Sequence, residues 1–499
     1  MELEERQPLL TPAPGANRPR DCGAGRVRQF AAAFTVDIMA LAFGLGMGWS
    51  STALPLLMSE ASPLHSGPIT KTDASWLASI LCIMGTITTP MYHYICEHYG
   101  RKACAFATVL PGIISILLLI FGETVEILYV SRGLIGASFA GTFIYCPIYV
   151  TELAEKDIRG SLGVVIMLMR NIGILFSYII GSYFSFHTVS WLCLGPPVIF
   201  LFALFWLPES PVYLARQGEY EKAVIAMKHF RGKNVNVPEE IEVLKNALSE
   251  MQSGGNAPAT LLELLSNKIA TKALFMTFIL FSNQQLCGFY GIVSYTVMIF
   301  KESGSYLSPN TCSIIVGFML FCGTVLSIIL CDLTGRKILL IVSDFLMGFV
   351  LIIIAIYFFS KSRGYDIEEF NWVPVTCLSI YVIALNVGIA SLPVLIATEL
   401  FSPRFTSLAM TITAPSTWML TFFVTKYFPL VSEHIGIHGS CLVFAVICIG
   451  GGIYIVLCVP ETKNKSLQMI LGELESKQGT TFNNRIPSKD KVAASERMS

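Results

Sequence analysis

The chain has 499 residues, of which 54% are hydrophobic and only 14% charged; that leaves too little polar surface to cover a soluble globule, so its natural solvent is lipid. The 34 basic and 34 acidic residues cancel, which excludes the basic field that a nucleic-acid partner requires. No nucleophile with a base, metal cluster or phosphate loop is present, so neither an enzyme nor a cofactor is expected.

Residues 1–29 form an acidic, proline-rich tail without the basic region and cleavage site of a secretory signal, so membrane entry is left to the first span. Within it, Glu5-Arg-Gln-Pro-Leu9-Leu10 fits an acidic-x-x-x-Leu-Leu sorting signal for a clathrin adaptor; the alternative is a tail that nothing reads. Crossing the hydrocarbon core takes roughly 20 apolar residues. Candidate spans lie near 30–50, 75–96, 104–122, 127–150, 162–184 and 190–207, then near 272–300, 311–331, 338–360, 373–398, 407–429 and 438–459.

The expected organisation is therefore an all-α membrane protein with two six-helix bundles, 30–207 and 271–459, in contact with membrane lipid. Between them, 208–270 reads as short amphipathic helices, and 460–499 is a polar tail. Arg26, Arg28, Arg101, Lys102, Lys156, Arg159, Arg336, Lys337, Lys463 and Lys465 fall on one side of the alternation; Lys71, Lys301, Lys361 and Arg363 form a smaller set on the other. Basic residues mark the cytoplasmic side, so both termini and the linker are expected there, with the protein at the plasma membrane, the endosomal-lysosomal membrane, or both. The 14 cysteines lie mostly inside apolar runs without a CxxC pair, so disulfides and a metal site are not expected.

The two halves repeat each other. Gly100-Arg101-Lys102 after Glu97 is matched by Gly335-Arg336-Lys337 after Asp332; Pro208-Glu209-Ser210 is matched by Pro460-Glu461-Thr462; Glu152 and Glu399 end the fourth span of each half. Such clusters suggest salt bridges that close one side of the bundles and break as they rock. These motifs, with Pro147-Ile-Tyr-Val-Thr-Glu152 and Arg159-Gly160, resemble those of the sugar porters of the major facilitator superfamily, over about residues 30 to 470. Asn171-Ile-Gly-Ile-Leu and Val424-Thr-Lys-Tyr-Phe are most similar to the facilitated trehalose transporters. The resemblance implies the twelve-helix fold and a cytoplasmic charge network of Glu97, Arg101, Glu152, Arg159, Glu209, Asp332, Arg336, Glu399 and Glu461. Arg404 is out of register with the family's arginine, which aligns with Thr406.

A neutral sugar needs amides that donate and accept, and an aromatic face for its C–H surface. Gln284-Gln285 in mid-span meets the first need, and Gln-Gln-Leu-Cys-Gly resembles the family's seventh-span sugar motif; Tyr295 and Trp418 resemble its aromatic lining. The candidate substrate-binding residues are Gln284, Gln285, Tyr290, Tyr295, Trp418 and Ser50. Tyr290, Met167 and Leu320 stand where the family has Asn, Gln and Asn, and Gly388 to Val394 lacks most of the tenth-span prolines and the tryptophan. Ser50 stands where proton-linked porters place Asp, which favours facilitated diffusion. Asp37 and Arg170 are ions inside spans; a structural pair, a coupling or sensing role, and snorkelling of Asp37 are the readings. The function expected is a facilitative transporter of a neutral sugar, trehalose or a hexose. A low-flux sugar sensor and a proton-coupled symporter are the alternatives.

Overall fold

The computed structural model describes residues 22–155, 158–231, 260–401 and 403–463, with 242, 245, 465, 469 and 472. The first half consists of α1 (Cys22–Leu57), α2 (Lys71–Tyr99), α3 (Arg101–Phe121), α4 (Val125–Leu153), α5 (Arg159–Tyr183) and α6 (Phe186–Leu204). Three short helices follow, α7 (Pro211–Arg216), α8 (Tyr220–Arg231) and α9 (Leu261–Ser266). The second half consists of α10 (Lys268–Leu286), α11 (Phe289–Ser303), α12 (Pro309–Leu333), α13 (Arg336–Ser362), α14 (Val373–Val387), α15 (Leu392–Leu400) and α16 (Pro403–Cys458).

Ten helices among the described residues are long and apolar enough to cross a membrane. Two further crossings come from how the chain breaks. The 56 residues of α16 are interrupted at Gly436, φ +76°, and are more than twice what one crossing needs. The seventh span is expected as one run but is split into α10 and α11 at Gly288, whose φ of +98° is a left-handed conformation open to glycine. The tenth is likewise split into α14 and α15, so each half contributes six crossings.

Polar residues at the mouths start the helices. Thr70 and Asp73 form a capping box on α2, Ser185 caps α6, and Ser308 followed by Pro309 opens α12. Within the first half, α1 and α5 pack through small residues one turn apart, Gly44 on Gly173, Gly48 on Ser177 and Thr52 on Gly181. With no hydrophobic driving force in lipid, such close backbone approach supplies the packing. A Cβ on Gly44 would lie 1.9 Å from the Arg170 carbonyl oxygen, and one on Gly173 2.2 Å from that of Leu41.

Gly173→Leu is therefore expected to abolish the monodisperse folded protein in fluorescence-detected gel filtration, because overpacking costs about 1–3 kcal/mol even where neighbours can yield. Gly163→Ala on the same helix, with nothing within 4 Å of the added carbon, should leave the profile unchanged.

Candidate functional site

At the end of the bundle that carries α7 to α9, the linker end, each half is closed by a carboxylate that caps another helix. Glu209 Oε1 accepts from the Arg101 N–H at 3.0 Å and Oε2 from the Lys102 N–H at 3.1 Å. Glu461 repeats this on Arg336 (3.1 Å) and Lys337 (3.2 Å). The first turn of a helix presents unpaired N–H groups and a positive dipole end, so a carboxylate there is stabilising. Burial pushes the Glu209 carboxyl up from its ordinary value, and backbone N–H donors, including that of Ser210, pull the other way.

Arg101 forms a fork on Glu152, Nε to Oε2 at 2.8 Å and Nη2 to Oε1 at 2.6 Å, with Glu97 at 3.6 Å. Arg336 reaches Glu399 by Nη2 alone, at 3.2 Å. The pairs differ in burial: Arg101 and Glu152 are 1% and 12% exposed, Arg336 and Glu399 20% and 25%. Both lie within one half, whereas the sequence pattern suggested bridges that break between halves. A second cluster escaped sequence reading: Glu155 accepts from Gln29 (3.0 Å) and pairs with Arg231 (3.2 Å), tying the start of α1 and the end of α4 to α8. Its residues belong to no repeated motif. The side chains of Arg159, Asp332 and Arg404, and all of Glu5, Leu9 and Leu10, lie outside the described residues.

The halves meet through their middle and at the opposite, far end. Lys71 pairs with Glu433 at 2.7 Å, and Lys426 Nζ donates to Ser75 Oγ at 2.8 Å while sitting 3.9 Å above the Trp76 ring. Asn171 on α5 donates to Thr324 (2.6 Å) and Asn386 (2.9 Å) on α12 and α14. In α11, Tyr295 departs from helical geometry, at φ −120° and ψ 19°. Beside that kink the Val293 carbonyl accepts from the Tyr178 hydroxyl (2.9 Å), and the Val297 N–H donates to Ser51 Oγ (3.0 Å), both partners coming from the first half.

The candidate binding residues gather at these breaks. Gln284 donates to the Ala390 carbonyl at the break between α14 and α15 (2.9 Å). Gln285 accepts from Thr421 (2.9 Å) and donates to Gln284 Oε1 (3.4 Å). An amide has two N–H donors and an oxygen with two lone pairs, so each glutamine keeps one donor and one acceptor for a ligand. Trp418 packs edge-on against Phe43 and Phe143 of the other half, and Tyr295 stacks on Phe428. Tyr290, in the first turn of α11, lies near Arg170 and Cys82.

Ser50 is buried, and its Oγ accepts at 2.8 Å from Nη2 of Arg132, a buried arginine that sequence reading passed over. The other partners of Arg132 are the carbonyls of Leu77 and Gly46 and the Trp49 ring, all neutral. An Asp37–Arg170 pair, one of the three readings of these ions, does not form among the described residues. Along the α1–α5 register Asp37 lies about one turn short of Arg170 and is near Tyr145 and Cys146 of α4, with neither carboxylate oxygen hydrogen-bonded. Asp344 on α13, also missed, accepts from Asn283 at 2.7 Å.

Two six-crossing halves that meet on interrupted helices, with polar side chains gathered at the interruptions, have the build of a secondary transporter. The chain belongs to the sugar (and other) transporter family, whose profile matches residues 66–472. It is 33% identical to a facilitated trehalose transporter homolog of Drosophila simulans over 89% of this chain and 90% of that one. It is 32% identical to trehalose transporter 1 of Drosophila melanogaster over 89% of this chain and 51% of that one. The inward-open xylose transporter of E. coli superposes with a TM-score of 0.72 at 20% identity, covering 90% of this chain and 99% of that one. A proton:xylose symporter bound to 6-bromo-6-deoxy-D-glucose gives 0.71 at 20% identity, with coverages of 90% and 99%. At that identity the likeness shows the fold, which is that of the major facilitator superfamily.

Combining Ser51→Ala with Tyr178→Phe leaves the Val297 N–H beside the α11 kink without its partner, at about 1–3 kcal/mol, and the Val293 carbonyl with the Thr296 hydroxyl alone, and should depopulate the closed far end. Spin labels at positions 65 and 370 are expected to show a longer-distance population in the double variant. Arg101→Ala strands a buried carboxylate, which costs about 3–5 kcal/mol, whereas Arg336→Ala opens a more exposed contact worth about 0–1 kcal/mol. Thermal unfolding in detergent should therefore fall much further for the first variant than for the second.

Proposed function

We propose that the chain is a facilitative sugar transporter, carrying trehalose or a hexose by alternating access. The linker end, with the termini and α7 to α9, faces the cytoplasm, and the far-end contacts make this an inward-facing conformation. The observation that carries the reading is the Gln284-Gln285 pair at the broken seventh span, where each amide retains a donor and an acceptor. A sugar hydroxyl needs both from its partner. Trp418 and Tyr295 offer apolar ring faces to the C–H surface, and the Drosophila relatives are trehalose transporters by name.

Facilitated diffusion is favoured because the buried Arg132 is held by neutral oxygens, with Ser50 where a carboxylate would couple to a proton. A proton-linked cycle is favoured instead by Asp37, whose buried carboxylate has no hydrogen-bond partner. Intramembrane ionisable groups of that kind mark proton paths in other transporters. The repeated charge clusters brace the linker end of each half and so stabilise one of the two gate states, Glu5, Leu9 and Leu10 bind an adaptor, and the protein cycles between the cell surface and endosomal-lysosomal membranes.

Uptake of labelled trehalose and hexoses into proteoliposomes, with and without a protonophore, tests this reading. Saturable uptake that ignores the protonophore and falls at least tenfold in the Gln284→Ala, Gln285→Ala double variant is expected. Binding that persists unchanged in the double variant would show that the amides are structural and that the site is misplaced.

A further inference from the structure

Arg170 is buried on α5 at the interface between the halves, 5% exposed, and no carboxylate among the described residues neutralises it. Its Nε donates to Asn171 Oδ1 at 3.2 Å, its guanidinium carbon lies 5.8 Å from the centre of the Phe289 ring, and its Nη2 has no hydrogen-bond partner. Asn171 is itself tethered across the interface to Thr324 and Asn386. That clasp holds the guanidinium in place over the first turn of α11. Removing a guanidinium from water without a counter-charge is costly, and one ring contact and one hydrogen bond to a neutral amide return only part of that cost. Fold stability does not account for the residue.

A second feature points the same way. α11 begins after Gly288, an N-cap that has no side chain of its own to close the first turn. The Phe289 N–H turns to Cys287 Sγ, and the 15-residue helix presents the positive end of its dipole at the residues over which Arg170 sits, Phe289 and Tyr290. Interrupted spans in transporters use such half-helix ends to bind anionic groups of the cargo. Gln284 and Gln285 end α10 on the other side of the same break. Meanwhile Met167 and Leu320 are apolar, so those two positions bring no amide to a neutral hydroxyl.

We propose that the site binds an anion between Arg170 and the α11 N-terminus, and that its cargo includes sugars bearing one carboxylate, the hexuronates, with the amides of Gln284 and Gln285 on the ring hydroxyls. A guanidinium edge matches a planar carboxylate. The inference rests on the sugar-transporter reading and names a substrate class for its site. A bound chloride would answer the same electrostatics, so the experiment separates the two.

Counterflow of labelled glucuronate and glucose is measured in proteoliposomes of the full chain, in chloride and in methanesulfonate buffers. Wild-type protein is expected to carry glucuronate in both buffers. Arg170→Gln removes the cation. Asn171→Asp keeps it but places a permanent carboxylate 3.2 Å from its Nε, so the two variants remove the free charge by opposite routes. In each, the glucuronate-to-glucose flux ratio should fall at least tenfold. If glucose is carried and glucuronate is not, or if the ratio is unchanged in both variants, the inference falls and the transporter reading stands. Chloride that raises thermal stability of the wild type where glucuronate adds nothing would overturn the cargo assignment in favour of a structural anion. Flux of neither sugar would overturn the inference, and the absence of trehalose flux as well would remove the transporter reading.

Discussion

Hydrocarbon offers no hydrogen bonds, so every backbone group freed by a break in a spanning helix must find a partner in the protein or cost several kcal/mol. This constraint organises the centre of the molecule. At the break in the seventh span the Cys287 carbonyl accepts from the Tyr381 hydroxyl at 3.0 Å. At the tenth-span break Gln284 takes the Ala390 carbonyl, and Ser343 accepts from the Ile389 N–H. Beside the α11 kink the partners, Ser51 and Tyr178, belong to the other half. Irregular backbone is thereby tied to the relative position of the halves, and the halves cannot part at the far end without exchanging those partners.

The same constraint explains why polar residues gather at the interruptions. Gln284 and Gln285 serve the protein through two bonds each, and each keeps one donor and one acceptor beyond them. A ligand that takes up the spare donor and acceptor meets groups already held by the α14–α15 break and by α16, so binding is linked to the geometry of the tenth and eleventh spans. Rigid halves supply the rest of the device. The small-residue stripe between α1 and α5 leaves no slack for them to slide, and the Glu209 and Glu461 caps bind the last span of each half to the third.

The two halves share a plan but not an energy. Arg101 is fully buried and forked on Glu152, while Arg336 makes one longer contact with a Glu399 that is a quarter exposed. Buried charge pairs are costly to break and exposed ones are not. The linker-end cluster of the first half is thus a fixed structural element, further anchored through Glu155 to α8, and that of the second is the softer one.

Class and architecture were legible in the residues, because twenty-residue apolar runs have no other solvent than lipid and a duplicated set of motifs at their ends marks two homologous bundles. The capping pair Glu209 and Glu461 and the arginines they flank were visible in the same repetition. Partners were another matter. Hydropathy reads 272–300 and 373–398 as unbroken spans, since a left-handed Gly288 leaves no mark on a hydrophobic window. A pair is one reading of Asp37 and Arg170, from their shared rarity, yet the register of α1 on α5, set by Gly44 against Gly173, holds them a turn apart. Ser50 reads as a pocket residue, with nothing in the residues to place Arg132, distant in sequence, against it. Composition and periodicity determine which surfaces are buried and how many times the chain crosses; which buried polar group meets which is decided by the register of helices packed from distant parts of the chain, and only the tertiary structure holds that register.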